Sequence, residues 1–106
     1  MSRPDSLMKD EAIETIIRFV QSLEAAPIWN EWYVGTTDEP QRKLYEEHRA
    51  SYTKSTYISV NYPATAKAVE EHLIRRYGMD GKRGGKEYPL FVYAFKKLRD
   101  TEPPLK

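Results

Sequence analysis

The alternation of strand-like and helix-like segments constrains the fold of this chain more than any other feature of its sequence. The segments "WYVGTT", "STYISVNY" and "PLFVYAFKKL" are short and rich in aromatic and β-branched residues, as strands are. Segments with a helical apolar stripe lie before and between them, at 6–26, 38–49 and 63–77. Because helices bury such stripes against a sheet, the order α-β-α-β-α-β predicts a small α+β or α/β sandwich. Of these we expect the α+β form, a three-stranded sheet flanked by three helices.

The length of the chain and its lack of cysteine limit the kinds of domain that it can form. A chain of 106 residues suffices for one modest domain, residues 1–106, and not for two independent cores. The absence of cysteine excludes disulfides, thiolate metal sites and a thiol nucleophile. Within the domain we predict an N-terminal helix at 6–26, a core at 31–98 and a flexible tail at 99–106.

The sequence gives no sign of a membrane or export segment. Acidic residues interrupt the apolar residues near the N-terminus, which is unlike a signal peptide. No apolar run approaches the roughly 20 residues that span a bilayer. We therefore expect a cytoplasmic protein that has no membrane partner.

Charge is divided unevenly between the two halves of the chain. Residues 1–50 carry a formal charge of −4 and residues 51–106 carry +5, which gives the total of +1. A locally basic half can attract a polyanion although the whole chain is almost neutral, so a nucleic-acid partner is one interpretation. The alternative is that the charges only keep a small domain soluble. The acidic N-terminal helix could offer a surface to a protein partner.

A glycine-rich loop, "GMDGKRGGKEY", follows the third helical segment and resembles a phosphate-binding loop only superficially. Its residues do not match the G-x-x-x-x-G-K-[ST] spacing of a nucleotide P-loop. The loop places three cations, Lys82, Arg83 and Lys86, where they could contact phosphates through charge alone. The alternative is a plain connection between two elements.

Two charged residues stand out beside apolar stripes. Glu70 adjoins the stripe of its helix, so its carboxylate should lie at the edge of the core, ready for a metal or a proton if a cleft opens there. Arg42 follows the first strand and its turn, where a guanidinium suits a phosphate or carboxylate. The alternatives are a solvated glutamate, and an arginine stem packed on Tyr45 with its head in water.

Three segments, taken in order, resemble the GIY-YIG domain, a small nuclease module of homing endonucleases and excision-repair incision proteins. "WYVG" at 32–35 matches the YIG strand, and "DEPQRKLYEEH" at 38–48 matches the following helix with its arginine and terminal histidine. "AKAVEEHLI" at 66–74 matches the helix with the acidic metal ligand. The resemblance covers about residues 31–77.

The resemblance implies a role for each matching residue. Tyr33 would lie by the attacking water, Arg42 would contact the scissile phosphate, and Glu70 would hold one divalent cation. Magnesium suits such a site, since one carboxylate, waters and a substrate phosphate can complete its shell. His48 matches the histidine at the end of the helix. Further candidates for nucleic-acid contact, with DNA preferred to RNA, are Arg49, Lys82, Arg83 and Lys86.

The first strand of the family, with its Gly-Ile-Tyr, has no counterpart just before "WYVG", where a helix ends instead. The C-terminal strand "PLFVYAFKK" reads much like it and could occupy its place beside 32–36. Tyr93 would then stand where the first tyrosine of the family stands. This arrangement requires the strand at 90–97 to pair with 32–36.

Two functional interpretations follow, and a third is unrelated to the family. The first is a diverged, metal-dependent endonuclease or nicking domain centred on Tyr33, Arg42, Glu70 and Tyr93, which should then lie in one cleft. The second is an inactive module of the same shape that binds nucleic acid or a protein. The third is an unrelated α+β domain.

Overall fold

The computed structural model describes residues 6–82 and 88–105. Its main elements are the helices α1 (Lys9–Leu23) and α2 (Pro63–His72) and the strands β1 (Trp32–Thr37), β2 (Ser55–Ser59) and β3 (Phe91–Lys96). A π-helical segment, Arg42–Glu47, lies between β1 and β2, and a second one, Leu73–Tyr77, continues α2. The predicted α+β class, a three-stranded sheet with three helices, is confirmed.

The C-terminal strand occupies the centre of the sheet. The strand order is β1-β3-β2, and both neighbours run antiparallel to β3. Tyr93 on β3 stands opposite Gly35 on β1 and opposite Tyr57 on β2. The pairing of the last strand with "WYVG" is therefore present, as the proposed replacement of the missing strand requires. The further likeness to a GIY-YIG arrangement stays a prediction.

The main core lies between one face of the sheet and the helices α1 and α2. Alternate side chains of β1 and β3 point into it, as the two-residue period of a strand requires. Trp32 and Phe19 meet edge to face, with ring centroids 6.2 Å apart. The fully buried members of this core include Ile16, Val20, Trp32, Val34, Val69, Leu73 and Val92. Each such large apolar side chain stabilises the fold by about 1.5–3 kcal/mol relative to an exposed one.

A smaller apolar cluster lies on the opposite face of the sheet. Tyr93 and Phe95 of β3 pack there with Leu44 and Ala50, and Tyr33 and Tyr45 lie against them. Leu44 belongs to the π-helical segment, which thereby covers the face that α1 and α2 leave open. The aromatic candidates for a site lie in this second cluster, away from the main core.

Single residues pair with the two outer strands. Asp80 accepts a backbone hydrogen bond from Val34 at 2.9 Å and donates one to Trp32 at 2.8 Å. On the far side of the sheet, Leu7 donates to Ser59 at 2.9 Å and accepts from Asn61 at 3.1 Å. Each contact is an isolated parallel bridge. The segment after α2 is thus fixed against β1, close to Tyr33.

Lys96 is a buried cation that ties three parts of the chain together. Its ammonium donates to Glu24, just after α1, at 2.7 Å and to Glu31, just before β1, at 2.6 Å. The indole of Trp32 donates to the second oxygen of Glu24 at 3.0 Å. Only 10% of the Lys96 side chain is exposed, so its charge is stabilised by these carboxylates in place of water.

Two helices differ from their predicted extents. α1 begins at Lys9 and ends at Leu23, which is shorter than the predicted 6–26. The helix expected at 38–49 is π-helical over Arg42–Glu47, and the amide of His48 bonds to the carbonyl of Lys43 at 3.0 Å. Arg49 then adopts a left-handed conformation with φ 55° and ends the segment.

The tail was predicted to be flexible, whereas its described part folds back onto the domain. Thr101 is only 3% exposed, and its hydroxyl bonds to Leu98 and Pro103. The backbone of Glu102 bonds to that of His48 at 2.8 Å. The tail is therefore held by hydrogen bonds from backbone groups and one hydroxyl, and not by an apolar stripe. Within the described residues, no helix is long and apolar enough to cross a membrane.

Candidate active site

Four aromatic side chains from three elements meet on the outer face of β1 and β3. The ring of His48 lies 5.0 Å from that of Tyr33, 5.4 Å from that of Tyr93 and 4.8 Å from that of Phe95, measured between centroids. Tyr33 and Phe95 stand opposite each other in the sheet and stack at 5.2 Å. We call Tyr33, His48, Tyr93 and Phe95 the aromatic cluster.

Backbone geometry sets the position of each member of the aromatic cluster. Tyr33 of β1 points to the same face of the sheet as Tyr93 and Phe95 of β3, because alternate side chains of paired strands share a face. Gly35 lies opposite Tyr93 and leaves room for its ring. His48 reaches the cluster from the end of the π-helical segment.

His48 is hydrogen bonded at both ring nitrogens. Its Nε2 lies 2.8 Å from the hydroxyl oxygen of Tyr93. Its Nδ1 contacts the backbone carbonyl of Glu102 in the C-terminal tail. Burial lowers the pKa of the imidazole, and the bond to Glu102 only partly opposes this effect. The ring is therefore neutral over a wider pH range than an exposed histidine would be.

The two tyrosine hydroxyls are held in their protonated form. Burial raises the pKa of Tyr33, and the charges of Asp80 and Glu70 raise it further, against a hydrogen bond from the Lys82 backbone. Burial likewise raises the pKa of Tyr93, with smaller effects from Tyr33 and Glu70. Both groups thus act as hydroxyl donors and acceptors near neutral pH, not as phenolates.

Glu70 is a buried carboxylate whose charge acts on two members of the aromatic cluster. It belongs to α2 and is only 4% exposed, deeper than the core edge predicted for it. Its charge adds to the effect of burial in raising the pKa of both Tyr33 and Tyr93, and at Tyr33 it acts together with Asp80. Glu71, its neighbour, is exposed. A buried carboxylate can accept hydrogen bonds or ligate a cation.

Glu70 suits magnesium only in the mode of binding that uses the fewest protein ligands. Among residues 6–82 and 88–105, no three His, Cys, Asp or Glu side chains lie close enough to hold a metal together. Mg²⁺ often uses one or two carboxylates, while waters and substrate phosphates fill the other positions. In that mode Glu70 would supply one hard anionic oxygen from α2.

Arg42 lies beside the aromatic cluster and not within it. It extends from the π-helical segment with 60% of its side chain exposed, and contacts Glu39 at 3.4 Å. It borders a hollow of about 490 Å³ whose other walls include Tyr57 and Phe91. Phe91 and Tyr93 point to the same face of β3, so the hollow continues the face on which the cluster lies.

The predicted nucleic-acid contacts have different outcomes. Arg49 and Lys82 are both exposed, and Lys82 also bonds to the Tyr33 hydroxyl through its backbone amide. Arg83 and Lys86 lie outside the described residues. The first two cations are thus available to a polyanion near the cluster.

Three contributors were missed by reasoning from the sequence. Phe95 could have been found, since it shares the two-residue period of Phe91 and Tyr93. Asp80 and Glu102 act mainly through their positions against β1 and His48, and no local pattern marks such contacts.

Comparisons of the chain with models of protein families, with curated proteins and with solved structures find no match.

Proposed function

We propose that the protein is a diverged, metal-dependent nuclease of GIY-YIG type that cuts or nicks one strand of nucleic acid. The observation that supports this most is the meeting of Tyr33, Tyr93 and His48 in one cluster. Phosphodiester hydrolysis needs a positioned water, a proton acceptor and positive charge on the phosphate, and these residues offer the first two.

Each residue has a distinct part in the proposed reaction. Tyr33, half-buried at the surface of the cluster, orients the attacking water through its hydroxyl. His48 is the basic group: the oxygen of Tyr93 takes the proton of the water as the hydroxyl proton of Tyr93 passes to Nε2 of His48. Arg42 contacts the phosphate from the neighbouring hollow, as the forked guanidinium suits.

Magnesium would bind at Glu70, the one family ligand present. When bound, it would neutralise the charge that develops on the scissile phosphate. Burial raises the pKa of the two tyrosine hydroxyls, and the charge of the carboxylate adds to that effect. Glu70 therefore has an effect on the site that does not depend on the metal.

The surface near the cluster suits a nucleic acid. Arg49 and Lys82 are exposed there, and the second half of the chain is basic. The hollow beside Arg42 exposes the ring of Tyr57, on which a base can stack. We propose DNA as the substrate to test first and RNA as the second.

A nicking assay tests the proposed reaction. Supercoiled plasmid and Mg²⁺ are incubated with the wild type, with Glu70→Gln and with Tyr33→Phe, and the appearance of the open circular form is followed. We expect each variant to lower the rate by about 10²-fold or more. Glu71→Gln, on the exposed side of the same helix, is the matched control and should keep full activity. Equal rates in the wild type and in Glu70→Gln would rule out the proposed role of Glu70.

A second function, binding of nucleic acid without cleavage, is supported by two observations. Glu70 is only 4% exposed, and Arg42 lies in a hollow beside the cluster. If the protein only binds, Arg42→Ala should weaken the binding of a labelled oligonucleotide and reduce its dependence on salt. Arg18→Ala is the matched control, because Arg18 is also an exposed arginine paired with a glutamate one turn away. Equal loss in both variants would exclude a specific contact at Arg42.

A further inference from the structure

The C-terminal tail holds His48 with two backbone hydrogen bonds. The amide of Glu102 donates to the carbonyl of His48 at 2.8 Å, and Nδ1 of the ring contacts the carbonyl of Glu102. One residue of the tail thus contacts both the backbone and the ring of the histidine. The side chain of Glu102 is not used in either bond.

The contact at Nδ1 determines where the imidazole carries its proton. A carbonyl oxygen can only accept a hydrogen bond, so Nδ1 must be the donor and must bear the hydrogen. In the neutral ring Nε2 then has a free lone pair. The hydroxyl of Tyr93, 2.8 Å away, therefore donates to Nε2.

We propose that the tail is a positioning element of the aromatic cluster, in which the Glu102 carbonyl fixes His48 as the Nδ1–H tautomer and leaves Nε2 to accept from Tyr93. The opposite tautomer would place Nε2–H against the Tyr93 hydroxyl and a lone pair of Nδ1 against a carbonyl oxygen, which repel each other. The catalytic role of this hydrogen-bond arrangement rests on the proposed function, whereas the tautomer itself does not.

The tail is built to present that carbonyl. The buried hydroxyl of Thr101 accepts from the amide of Leu98 at 3.0 Å and lies 2.9 Å from its carbonyl oxygen and 2.6 Å from that of Pro103. The amide of Leu105 bonds to the carbonyl of Leu98 at 3.0 Å. These bonds close a loop around Thr101, with Glu102 at the point nearest to His48.

Other charged groups around His48 do not determine the tautomer. Lys43 and Glu47 on its own segment pair with each other at 3.0 Å. The hydroxyl of Tyr33, from β1, bonds to the backbone of Lys82. Tyr93 from β3 can donate or accept, so it adapts to whichever tautomer the tail imposes.

Nitrogen NMR of the histidine rings, recorded above neutral pH on the full chain, tests the tautomer directly. Long-range proton–nitrogen spectra distinguish a protonated ring nitrogen from one with a lone pair, and His72→Gln identifies the signals of His48. We expect protonated Nδ1 and unprotonated Nε2. Protonated Nε2 in the wild type would overturn the proposal.

Three variants test whether the tail or Tyr93 determines the tautomer of His48. Tyr93→Phe removes the partner of Nε2 and should leave Nδ1 protonated, whereas a switch of tautomer in this variant would overturn the proposal. Thr101→Val removes the hydroxyl that closes the loop and should shift the ring toward the Nε2–H form that predominates for a histidine in water; an unchanged ring would count against the tail. Glu102→Ala, which keeps both backbone bonds, is the control and should match the wild type.

The nicking assay is read separately from the spectra. If the wild type does not nick plasmid, the proposed function fails, while the tautomer of His48 is still measured. If the wild type nicks, Thr101→Val should lower the rate and change its pH profile, and Asp100→Ala, at an exposed position of the same tail, should do neither. A lower rate with an unchanged tautomer and pH profile would show a merely structural role for the tail.

Discussion

Tyr93 lies across Gly35 so closely that a β-carbon at position 35 would stand 2.3 Å from the Tyr93 hydroxyl oxygen and 2.4 Å from the ring carbon that bears it. Only glycine leaves that space empty. The same hydroxyl bonds to His48 at 2.8 Å, so the size of residue 35 and the aromatic cluster are directly coupled.

Gly35→Ala should therefore destabilise the protein and displace Tyr93. The ring is only 2% exposed and cannot move far without disturbing Phe95. We expect a loss of about 1–3 kcal/mol in the free energy of unfolding, typical of overpacking. Urea denaturation measures it, and the ring signals of His48 report the displacement.

A double-mutant cycle with Tyr93→Leu checks the cause. If the cost of Gly35→Ala comes from the ring, the same substitution should cost much less in the Tyr93→Leu background. Equal costs in both backgrounds would show that the strand backbone, and not Tyr93, requires the glycine.

Gly78 is needed for its backbone conformation alone. It ends the helical region with φ 80°, and a β-carbon there would meet no atom within 4 Å. Gly78→Ala should cost about 1–2 kcal/mol from the left-handed conformation. Gly78→Asn should cost less, because asparagine tolerates this region better. Thermal unfolding of the two variants measures the difference, and equal costs would contradict the conformational explanation.

Removal of the buried ammonium should destabilise the protein more than loss of an exposed cation. Lys96→Met leaves Glu24 and Glu31 without their shared partner, and we expect a loss of roughly 1–3 kcal/mol by urea denaturation. Arg75→Met breaks an exposed pair with Glu71 and should cost about 0.5 kcal/mol or less. Similar costs would mean that Lys96 is solvated in solution.

Stability should fall at acidic pH partly because of Glu24. The hydrogen bond from Lys96 lowers the pKa of this carboxyl below its ordinary value of 4.5. A lowered folded-state pKa contributes stability above pH 4.5, and that contribution is lost as the pH falls through the folded value. Glu47, whose pKa is lowered by Lys43, contributes in the same direction.

The same pair predicts a second loss at high pH. Burial alone would lower the pKa of Lys96, but its bonds to Glu24 and Glu31 prevail and raise it above 10.5. Its contribution is present below pH 10.5 and is lost as the pH rises through the folded value. Urea midpoints across the pH range measure both limbs. In Glu24→Gln the acid limb should flatten, and an unaltered limb would exclude Glu24 as a cause.

The helices and strands could be predicted because the local periodicity of apolar residues indicates which face of each element is buried. "WYVGTT" and "PLFVYAFKKL" form β1 and β3, and the apolar stripe beginning at Ile13 forms α1. The π-helical winding of 42–47 could not, because the spacing of Leu44 and Tyr45 suits an α-helix equally well.

The sequence predicted some residues of the candidate site but not how all of them are arranged. Tyr33 and Tyr93 were named as candidates, and the structure brings them together with His48. Arg42 was expected in the same cleft as the two tyrosines. It contacts Glu39 instead and borders the hollow beside the aromatic cluster. Such a placement depends on packing between distant segments, which no local pattern specifies.

The bridges at Leu7 and Asp80 have a consequence for self-association. An outer strand with free amides and carbonyls is a template on which another chain can add a strand, and so aggregate. Here Leu7 engages β2 at its end and Asp80 engages the first half of β1. Release of the short segment before α1 would expose the end of β2 to neighbouring molecules, so Leu7 protects that end against intermolecular strand pairing.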